Sequence, residues 1–302
     1  MLVGIVKNPR SGRGTNNAQW PELLAKVRAA CPYEFLVEET TAPGSAKHQA
    51  KRFADEGCAI VVAAGGDGTV RDVMEGVLGT AAALAVLPLG TGNDFSRCID
   101  AGPSVESAIA ALKGSERKRI DIGRWHQGDR SGHFVNVAGC GFDAVVADRV
   151  NHGYRRIRGT MAYVVGLLQT LATYRATNLK IVVDGEPMEG KAMLCAFANA
   201  TSYGGGMRIA PTADLCDGML DLVLVGDMGR AGFLKSFPRV FKGTHLTHPR
   251  VTHRRFQRLD IESDPPVPTL VDGELLPAGP LSIEVVSQAL EVIGGAKFCG
   301  GG

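Results

Sequence analysis

A short segment that combines three glycines, one carboxylate and one hydroxyl is the first candidate for chemistry in this sequence. Gly65-Gly66-Asp67-Gly68-Thr69 follows the apolar run 59–64 and precedes apolar residues at helical spacing from Val70 onward. It should therefore form the turn between a buried parallel strand and a helix. Glycine allows a positive φ and the close approach of another group. Because a helix N-terminus offers unpaired N–H groups and the positive end of a dipole, the segment is typical of a phosphate site.

Two common glycine-rich phosphate motifs do not match this segment. A Walker A loop would continue with Gly-Lys-Ser or Gly-Lys-Thr, and a dinucleotide-binding turn would read G-x-G-x-x-G. Neither pattern is present around residue 65. Taken alone, the segment is also compatible with a tight turn that simply requires glycine.

Two further glycine-rich loops follow apolar strands elsewhere in the first hundred residues. One strand, 84–87, leads into Leu89-Gly90-Thr91-Gly92-Asn93-Asp94-Phe95, and another, 2–6, leads into Asn8-Pro9-Arg10-Ser11-Gly12. The carboxyl ends of parallel strands lie at one edge of a sheet, which is where open α/β sheets bind ligands. We therefore expect the three loops to gather on one rim.

These three loops, in this order, resemble the motifs of the diacylglycerol kinase catalytic family, which includes bacterial lipid kinases, sphingosine kinases and ceramide kinases. The resemblance covers nearly the whole chain. It implies a soluble kinase that uses ATP and Mg²⁺ to phosphorylate a lipid hydroxyl, with diacylglycerol as the first candidate. The residues that the resemblance assigns to the nucleotide are Asn8, Pro9, Arg10, Ser11, Gly12, Thr40, Gly65, Gly66, Asp67, Gly68, Thr69, Val70, Arg71, Gly90, Thr91 and Asn93.

Three of the polar residues at this rim have simpler alternatives. Thr40 matches a nucleotide-contacting threonine of the family, but a threonine here is also compatible with the approach to a helix N-terminus. Asp67 and Asp94 are candidates to orient the catalytic magnesium, directly or through water. Aspartates in such loops also form Asx turns that only cap the loop.

The candidate catalytic base lies in one of two identical tetrapeptides, Val183-Asp184-Gly185-Glu186 and Val271-Asp272-Gly273-Glu274. Asp-Gly between alternating strands is the signal of a type I′ hairpin turn, so the residues alone do not separate the two. The resemblance places the catalytic carboxylate in the second turn, and Glu274 is therefore the predicted general base.

An acidic loop, 210–221, is the candidate metal site. Carboxylates separated by a flexible glycine from the next strand suit a hard cation with oxygen ligands, although acidic loops are usually only solvated. The resemblance assigns a structural magnesium to Asp214, Asp217 and the backbone of Met219. The preceding segment, Tyr203-Gly204-Gly205-Gly206-Met207, resembles a family loop on the same cleft.

The pattern of elements predicts an α/β fold in two parts. Residues 1–122 alternate strands and helices, which favours a parallel sheet covered by helices; the resemblance makes this an ATP-binding domain similar to NAD kinase. Residues 123–302 show period-2 alternation and hairpin turns, which favours a mostly antiparallel β-sandwich, the lipid-substrate domain by resemblance. One helical insertion, 155–174, interrupts the sandwich, and a last strand, 289–293, is expected to return to the first domain.

Composition restricts the partners and the compartment. A net charge of +2 is too small to imply nucleic acid. Seven cysteines without a C-x-x-C pair, together with the absence of a secretory signal, favour reduced thiols in a cytoplasmic protein. The longest apolar run, 161–171, is too short to span a bilayer. We expect peripheral membrane contact through the basic stretches 242–259 and 154–158, for which a solvated surface is the alternative, and the sequence leaves a homodimer open.

Other functions share part of this pattern. NAD kinase and, less closely, 6-phosphofructokinase carry Gly-Gly-Asp-Gly loops, and a non-catalytic nucleotide- or lipid-binding module is a second class. The Leu89–Phe95 and Asn8–Gly12 segments favour a lipid kinase. The identity of the lipid is not encoded in any motif, because acyl-chain pockets are built from ordinary apolar residues.

Overall fold

The computed structural model describes residues 1–114, 116–153, 169–170, 173–296 and 298–299. The predicted insertion 155–174, its apolar run and the basic segment 154–158 lie largely or wholly outside these residues. No helix in the described part of the chain combines the length and the apolar character needed to cross a membrane.

The N-terminal part is a parallel sheet with helices on both faces. Its strands are β1 (Leu2–Lys7), β2 (Glu34–Glu39), β3 (Ile60–Gly65) and β4 (Ala83–Pro88), in the spatial order β2-β1-β3-β4. Its helices are α1 (Thr15–Ala30), α2 (Ser45–Asp55), α3 (Asp67–Val77), α4 (Asp94–Cys98) and α5 (Val105–Gly114). Successive residues of β3 enter different cores: Val61 packs in the core that contains α2 and α3, and Val62 packs in the core that contains α1 and α5.

The C-terminal part is a mostly antiparallel sandwich. Its strands are β5 (Arg117–Gln127), β6 (Arg130–Phe134), β7 (Val137–Gly141), β8 (Thr177–Val183), β9 (Glu186–Ala198), β10 (Leu220–Gly226), β11 (Val251–Phe256), β12 (Arg258–Asp264), β13 (Thr269–Val271), β14 (Glu274–Leu276) and β15 (Leu281–Ile293). The helices are α6 (Phe142–Gly153) and α7 (Gly229–Ser236), and 3-10 turns cover Ser11–Gly14, Phe237–Lys242 and Thr244–Thr247. Phe134, Phe197 and Phe256 are fully buried in the interior of the sandwich.

One long strand, β15, belongs to both parts. Its first half pairs antiparallel with β5 and β12, and its end pairs parallel with β4 through Val292 and Leu84. The register shifts between Val286 and Leu290, which lets the strand turn from one part to the other. The end of β15, which contains residues 289–293, thus pairs with a strand of the N-terminal part. The predicted boundary at residue 122 lies inside β5.

Two breaks between strands are made by carboxylates from distant turns. Between β6 and β7 the buried Asp272 carboxylate accepts the N–H groups of Val135, Asn136 and Val137. Between β11 and β12 the N–H of Gln257 is bound by Asp184. Because each carboxylate takes donors that a strand would use for pairing, strand pairing stops at both places.

Two expectations need correction. The sequence analysis predicts one helical insertion in the sandwich, but the sandwich also carries α6, which begins directly after β7, and α7. Cys216 and Cys299 form a disulfide with a Cα–Cα distance of 5.5 Å, so the expectation of seven reduced thiols is wrong for this pair. The partners are 83 residues apart in sequence, and the folding of β15 brings them together.

Candidate active site

The three glycine-rich loops meet at the carboxyl ends of β1, β3 and β4. Asn8 Nδ2 donates a hydrogen bond of 3.0 Å to Thr69 Oγ1, which joins the first loop to the second. The Leu89 N–H donates to the Gly65 carbonyl at 2.9 Å, which joins the third loop to the second. A Cβ on Gly90 would lie 2.5 Å from the Gly66 Cα, so the two backbones approach more closely than any side chain allows. The expected rim is present.

A cleft of about 320 Å³ opens between the first two loops and the residues after β2. The predicted nucleotide contacts that line it are Asn8, Arg10, Ser11, Thr40, Gly66, Gly68 and Thr69. Asp72 and the segment Thr41-Ala42-Pro43, which the sequence did not single out, line it as well. Helix α3 begins at Asp67 directly after the extended Gly66, so its free N–H groups lie at this cleft.

Thr40 is a lining residue of the cleft and not a helix cap. The residue before α2 is Gly44, with φ 79°, and Ser45 Oγ accepts the N–H of Thr41. Hydrogen bonding of the turn before α2 is thus supplied by Ser45.

The remaining predicted nucleotide contacts lie outside the lining of this cleft: Pro9, Gly12, Gly65, Asp67, Val70, Arg71, Gly90, Thr91 and Asn93. Val70 is buried in the core, so its side chain is not available to a ligand. Asn93 adopts a left-handed conformation with φ 52°, and its side chain closes the third loop by two hydrogen bonds to the backbone of Gly90.

Asp67 and Asp94 accept hydrogen bonds from backbone N–H groups of other loops, so they do more than cap the loops in which they lie. Asp67 Oδ1 accepts the N–H of Phe95 at 3.2 Å. Asp94 is buried; its two oxygens accept the N–H groups of Gly205 (2.7 Å) and Gly206 (2.9 Å), and Arg97 forms an ion pair with it. Burial, together with the nearby Asp94 charge, raises the pKa of the Asp67 carboxyl. Asp67 and Asp94 are therefore close enough at the rim to interact electrostatically.

Glu274 reaches the same rim from the sandwich. Its Oε2 lies 2.5 Å from Arg71 Nη1 of α3, and Arg71 also binds Asp72. The turn that carries Glu274 is fixed by Asp272, whose carboxylate accepts hydrogen bonds from the N–H groups of three residues between β6 and β7. Burial raises the pKa of Asp272 to about 6, and the Asp67 charge acts in the same direction. The Asp272 and Asp67 carboxylates are thus close enough to interact electrostatically.

The turn Asp184-Gly185-Glu186 has the same backbone conformation as Asp272-Gly273-Glu274 but lies elsewhere in the fold. Asp184 and Gly185 have φ 50° and 86°, and Asp272 and Gly273 have φ 42° and 85°. Positive φ at both central residues is the type I′ turn that the sequence predicts. Glu186, however, forms an ion pair with Arg254 on the sandwich, away from the glycine-rich loops.

The acidic loop 210–221 already has partners for its carboxylates. Asp214 Oδ1 accepts the Cys216 N–H, Asp217 Oδ1 accepts the Met219 N–H, and Arg255 forms an ion pair with the other Asp217 oxygen. Asp121, which is buried, binds the N–H of Gly218 and so fixes the loop to β5. Both oxygens of Asp217 are therefore engaged by donors in this structure.

Asp143 is a polar residue near the rim that the sequence analysis did not select. Its Oδ2 accepts a hydrogen bond of 3.2 Å from the Tyr203 hydroxyl, and burial raises its pKa to about 6. Tyr203 belongs to the loop whose Gly205 and Gly206 bind Asp94. The available signal was a carboxylate two residues after the glycine turn Gly139-Cys140-Gly141.

An apolar cavity of about 60 Å³ lies next to Tyr203, between the sandwich and α7. Its lining includes Leu194, Met207, Ile209, Val225, Phe233 and Phe237. A larger groove of about 570 Å³ lies near β8 and β12, and none of its lining residues is a predicted site residue.

Comparisons with known proteins address the predicted family directly. The model of the diacylglycerol kinase catalytic domain matches residues 3–125, and the model of the YegS C-terminal NAD kinase beta sandwich-like domain matches residues 136–294. Diacylglycerol kinase of Mycobacterium tuberculosis is 33% identical over 300 residues, which covers 96% of this chain and 94% of the relative. The chain belongs to the diacylglycerol kinase family.

Other members of the diacylglycerol kinase family agree with this assignment. Diacylglycerol kinase of Bacillus subtilis is 30% identical over 274 residues, covering 89% of this chain and 88% of the relative. A crystal structure of a diacylglycerol kinase from Bacillus anthracis str. Sterne has the same fold, with a TM-score of 0.74, 22% identity and coverage of 98% and 97% of the two chains. Another crystal structure from that organism gives a TM-score of 0.80 at 24% identity. The predicted family, fold and kinase class are confirmed.

Proposed function

We propose that this kinase transfers the γ-phosphoryl group of ATP to the hydroxyl of a lipid, most readily diacylglycerol, to give phosphatidic acid. The observation that carries the proposal is the meeting of Glu274 with Arg71 at the glycine-rich rim. Glu274 of the sandwich and Arg71 of α3 would then both lie beside the phosphoryl group that is transferred. Phosphoryl transfer needs a cradle for phosphates, positive charge and a base near the attacking hydroxyl.

The cleft between the first two loops is the proposed ATP site. Its walls carry backbone N–H groups at the start of α3 and the side chains of Asn8, Arg10, Ser11 and Thr40. A triphosphate is stabilised by such N–H groups and by the helix dipole. Glycine suits position 66, because a Cβ there would lie 3.2 Å from the Gly90 Cα.

Asp67 fits a catalytic magnesium better than the acidic loop does. Burial beside Asp94 raises the Asp67 pKa, and a divalent cation would stabilise the ionised form of such a carboxylate. Asp217, by contrast, already has Arg255 as its cationic partner. Mg²⁺ held at Asp67 would neutralise charge on the transferred phosphoryl group, and binding at Asp214, Asp217 and Met219 remains a prediction.

Glu274 is the proposed general base. The acceptor hydroxyl oxygen bonds to the γ-phosphorus while the bond from that phosphorus to the β-phosphate oxygen breaks and ADP leaves. The hydroxyl proton moves to the Glu274 carboxylate. Glu274 is more than half exposed, so an acceptor can reach it, provided that Arg71 turns from the carboxylate towards the phosphates.

The neighbourhood of Tyr203 supports a lipid acceptor over NAD. The cavity beside it is lined mainly by apolar side chains, and the Tyr203–Asp143 pair supplies a polar group near one wall. At about 60 Å³ the cavity has room for a short part of a hydrocarbon chain, and the polar pair suits contact with a hydroxyl-bearing head. A dinucleotide, which is polar along its whole length, gains little from such a cavity.

The test is an assay of the full chain with radiolabelled ATP and Mg²⁺ against a panel of acceptors. The panel contains diacylglycerol, sphingosine, ceramide and phosphatidylglycerol in mixed micelles, and NAD in solution. We expect label in phosphatidic acid, identified by mass spectrometry. Label in NADP, or ATP binding without transfer to any lipid, would overturn the proposal.

A further inference from the structure

The stretch from Met228 to Arg258 is strongly basic. It contains eight lysine and arginine residues and no aspartate or glutamate; the eight are Arg230, Lys235, Arg239, Lys242, Arg250, Arg254, Arg255 and Arg258. The sequence alone marks only the second half of this stretch, 242–259, as a candidate membrane contact. The structure divides the eight cations into two groups with different surroundings.

The cations at the end of the stretch each have a carboxylate nearby. Arg254 pairs with Glu186, Arg255 with Asp217, and Arg258 Nε lies 3.7 Å from Asp260. A cation that already has a carboxylate partner adds little attraction for a second anion. The predicted basic stretch is therefore only partly a basic surface.

Four cations nearer its start are exposed and lack an acidic partner within the described part of the chain: Arg230, Lys235, Lys242 and Arg250. Three of them lie on α7 and the 3-10 turn that follows it. Arg230 Nε donates a hydrogen bond to the Tyr174 carbonyl. A neutral carbonyl does not compensate the positive charge of Arg230. Their positive charge is available to an external partner.

Two exposed hydrophobic side chains lie next to these cations. Leu234 precedes Lys235 and Phe241 precedes Lys242, and each of the two apolar side chains is 49% exposed. Together with Met1 and Val182 they are the large hydrophobic side chains exposed in the described residues. Exposed Leu and Phe side chains beside lysine and arginine are the residue types that an interfacial helix presents to a membrane.

Phe241 is also the outer end of a row of aromatic rings. Its ring contacts Phe237 at a centroid distance of 6.0 Å, Phe237 contacts Phe233 at 6.2 Å, and Phe233 contacts Phe142 at 4.8 Å. Phe233 and Phe237 line the apolar cavity, and Phe142 adjoins Asp143. Apolar surface thus continues from the exposed Phe241 to the neighbourhood of the proposed acceptor site.

We propose that Leu234 and Phe241, with Arg230, Lys235, Lys242 and Arg250, form a membrane-docking face that binds an anionic bilayer. The apolar pair enters the interface while the cations contact lipid headgroups. This inference deepens the proposed function and rests on it, because a lipid acceptor has to leave a bilayer. A second copy of the chain is a poor occupant, since an isologous contact would bring the same cations together.

The experiment measures sedimentation of the full chain with vesicles, without ATP. Vesicles of phosphatidylcholine alone are compared with vesicles that also contain phosphatidylglycerol, at low and high salt. We expect binding to rise with phosphatidylglycerol and to fall with salt. Leu234→Ser/Phe241→Ser and Lys235→Gln/Lys242→Gln should each lower the partition coefficient by about tenfold or more.

The matched control removes a positive charge together with its acidic partner. Arg254→Gln/Glu186→Gln should change the partition coefficient by less than about twofold, because it leaves the local net charge unchanged. A loss as large as that of the Lys235→Gln/Lys242→Gln variant would overturn the proposal. Equal binding of the wild type to neutral and anionic vesicles would do the same. A wild-type dimer that Leu234→Ser/Phe241→Ser converts to a monomer would assign the face to a second copy.

Turnover on dispersed short-chain diacylglycerol separates docking from chemistry. Leu234→Ser/Phe241→Ser should phosphorylate this substrate as fast as the wild type, because no bilayer is involved. Loss of that turnover would place the two side chains in the acceptor site and overturn the docking assignment. If the wild type binds anionic vesicles as expected but phosphorylates no lipid, the proposed function fails while the docking face is retained.

Discussion

Glu274 and Glu186 have the same neighbours in sequence, and their different roles come from their contacts in space. Glu274 faces Arg71 of the glycine-rich rim, whereas Glu186 faces Arg254 of the sandwich. Their turns have nearly identical φ values, so local conformation does not distinguish them. The pair provides an internal comparison for the proposed base.

Glu274→Gln should lower kcat by roughly 10²–10⁴, the range typical of losing a general base. Glutamine keeps the shape and the hydrogen bonding of glutamate but not its basicity. The affinity for ATP should stay nearly unchanged, because Glu274 lies outside the nucleotide cleft. Steady-state kinetics and an ATP-binding titration measure the two quantities.

Glu186→Gln is the control for this variant. It should leave kcat unchanged, since Glu186 contacts a cation of the sandwich and lies away from the rim. If Glu186→Gln were inactive and Glu274→Gln active, the assignment of the base would be wrong.

Asp143 allows a prediction about pH. Its pKa in the folded protein is about 6, against an ordinary value of 3.8, because burial disfavours the charged form. The native state therefore holds the proton more tightly than the unfolded chain does. The resulting stabilisation is complete below about pH 4 and is lost as the pH rises through about 6.

Asp143→Asn should remove this contribution, because asparagine stays neutral and can still accept the Ala144 N–H. Between about pH 7.5 and about pH 5, the wild-type free energy of unfolding should rise by about 1 kcal/mol more than that of the variant. Urea denaturation at the two pH values measures the difference. An identical change in the free energy of unfolding between the two pH values for wild type and variant would show that the Asp143 pKa is not raised.

At the scale of elements, the rim depends on the contact between two glycine-rich loops. Gly90→Ala would bring a Cβ within 2.5 Å of the Gly66 Cα and 2.9 Å of Asn93 Oδ1. The loops must separate to accept it, which should cost about 1–3 kcal/mol of stability. Since Gly66 lines the nucleotide cleft, ATP affinity should fall as well. Calorimetric titration with ATP and thermal unfolding measure both effects.

Gly114→Ala is the corresponding control. Among the described residues, and leaving out its chain neighbours and the backbone of its own helix, no atom lies within 4 Å of a Cβ built on Gly114, which ends α5. Alanine should change the free energy of unfolding there by less than about 1 kcal/mol and leave ATP affinity as it is. Equal effects of the two substitutions would mean that loop contact does not explain the Gly90 result.

At the scale of the molecule, β15 couples the two parts through shared backbone pairing. Leu290 and Val292 are buried in the core of the N-terminal part, while Leu281 and Ile283 of the same strand are buried in the sandwich. Trp20 lies in the N-terminal part and Trp125 in the sandwich. The two tryptophans therefore report on the two parts separately.

Leu290→Ala should lower the free energy of unfolding by about 2–5 kcal/mol, because it leaves a cavity in a packed core. If β15 unites the two parts, the loss should be the same when unfolding is followed through Trp20 in a Trp125→Phe background or through Trp125 in a Trp20→Phe background. Urea denaturation monitored by fluorescence measures both. A loss confined to the Trp20 signal would indicate two independent units.

Several features of the fold and the site follow from neighbouring residues and were predictable. The strand, glycine turn and helix around Gly65 are local, because an apolar run, glycines and helical spacing adjoin one another in sequence. The rim follows from the same pattern repeated in a parallel sheet. Asp-Gly likewise determines the left-handed backbone of both hairpin turns, since both residues tolerate a positive φ. The family motifs lie within these local segments.

Other features depend on residues that are far apart in the chain, and only the tertiary structure decided them. The neutralisation of Arg254 by Glu186, the contact of Glu274 with Arg71 and the disulfide between Cys216 and Cys299 each join distant segments. The breaks in the strands at residues 135–136 and 257 have the same origin, because each is caused by a carboxylate from a distant turn. A sequence pattern records the properties of neighbours, whereas charge pairing and burial are properties of the folded chain.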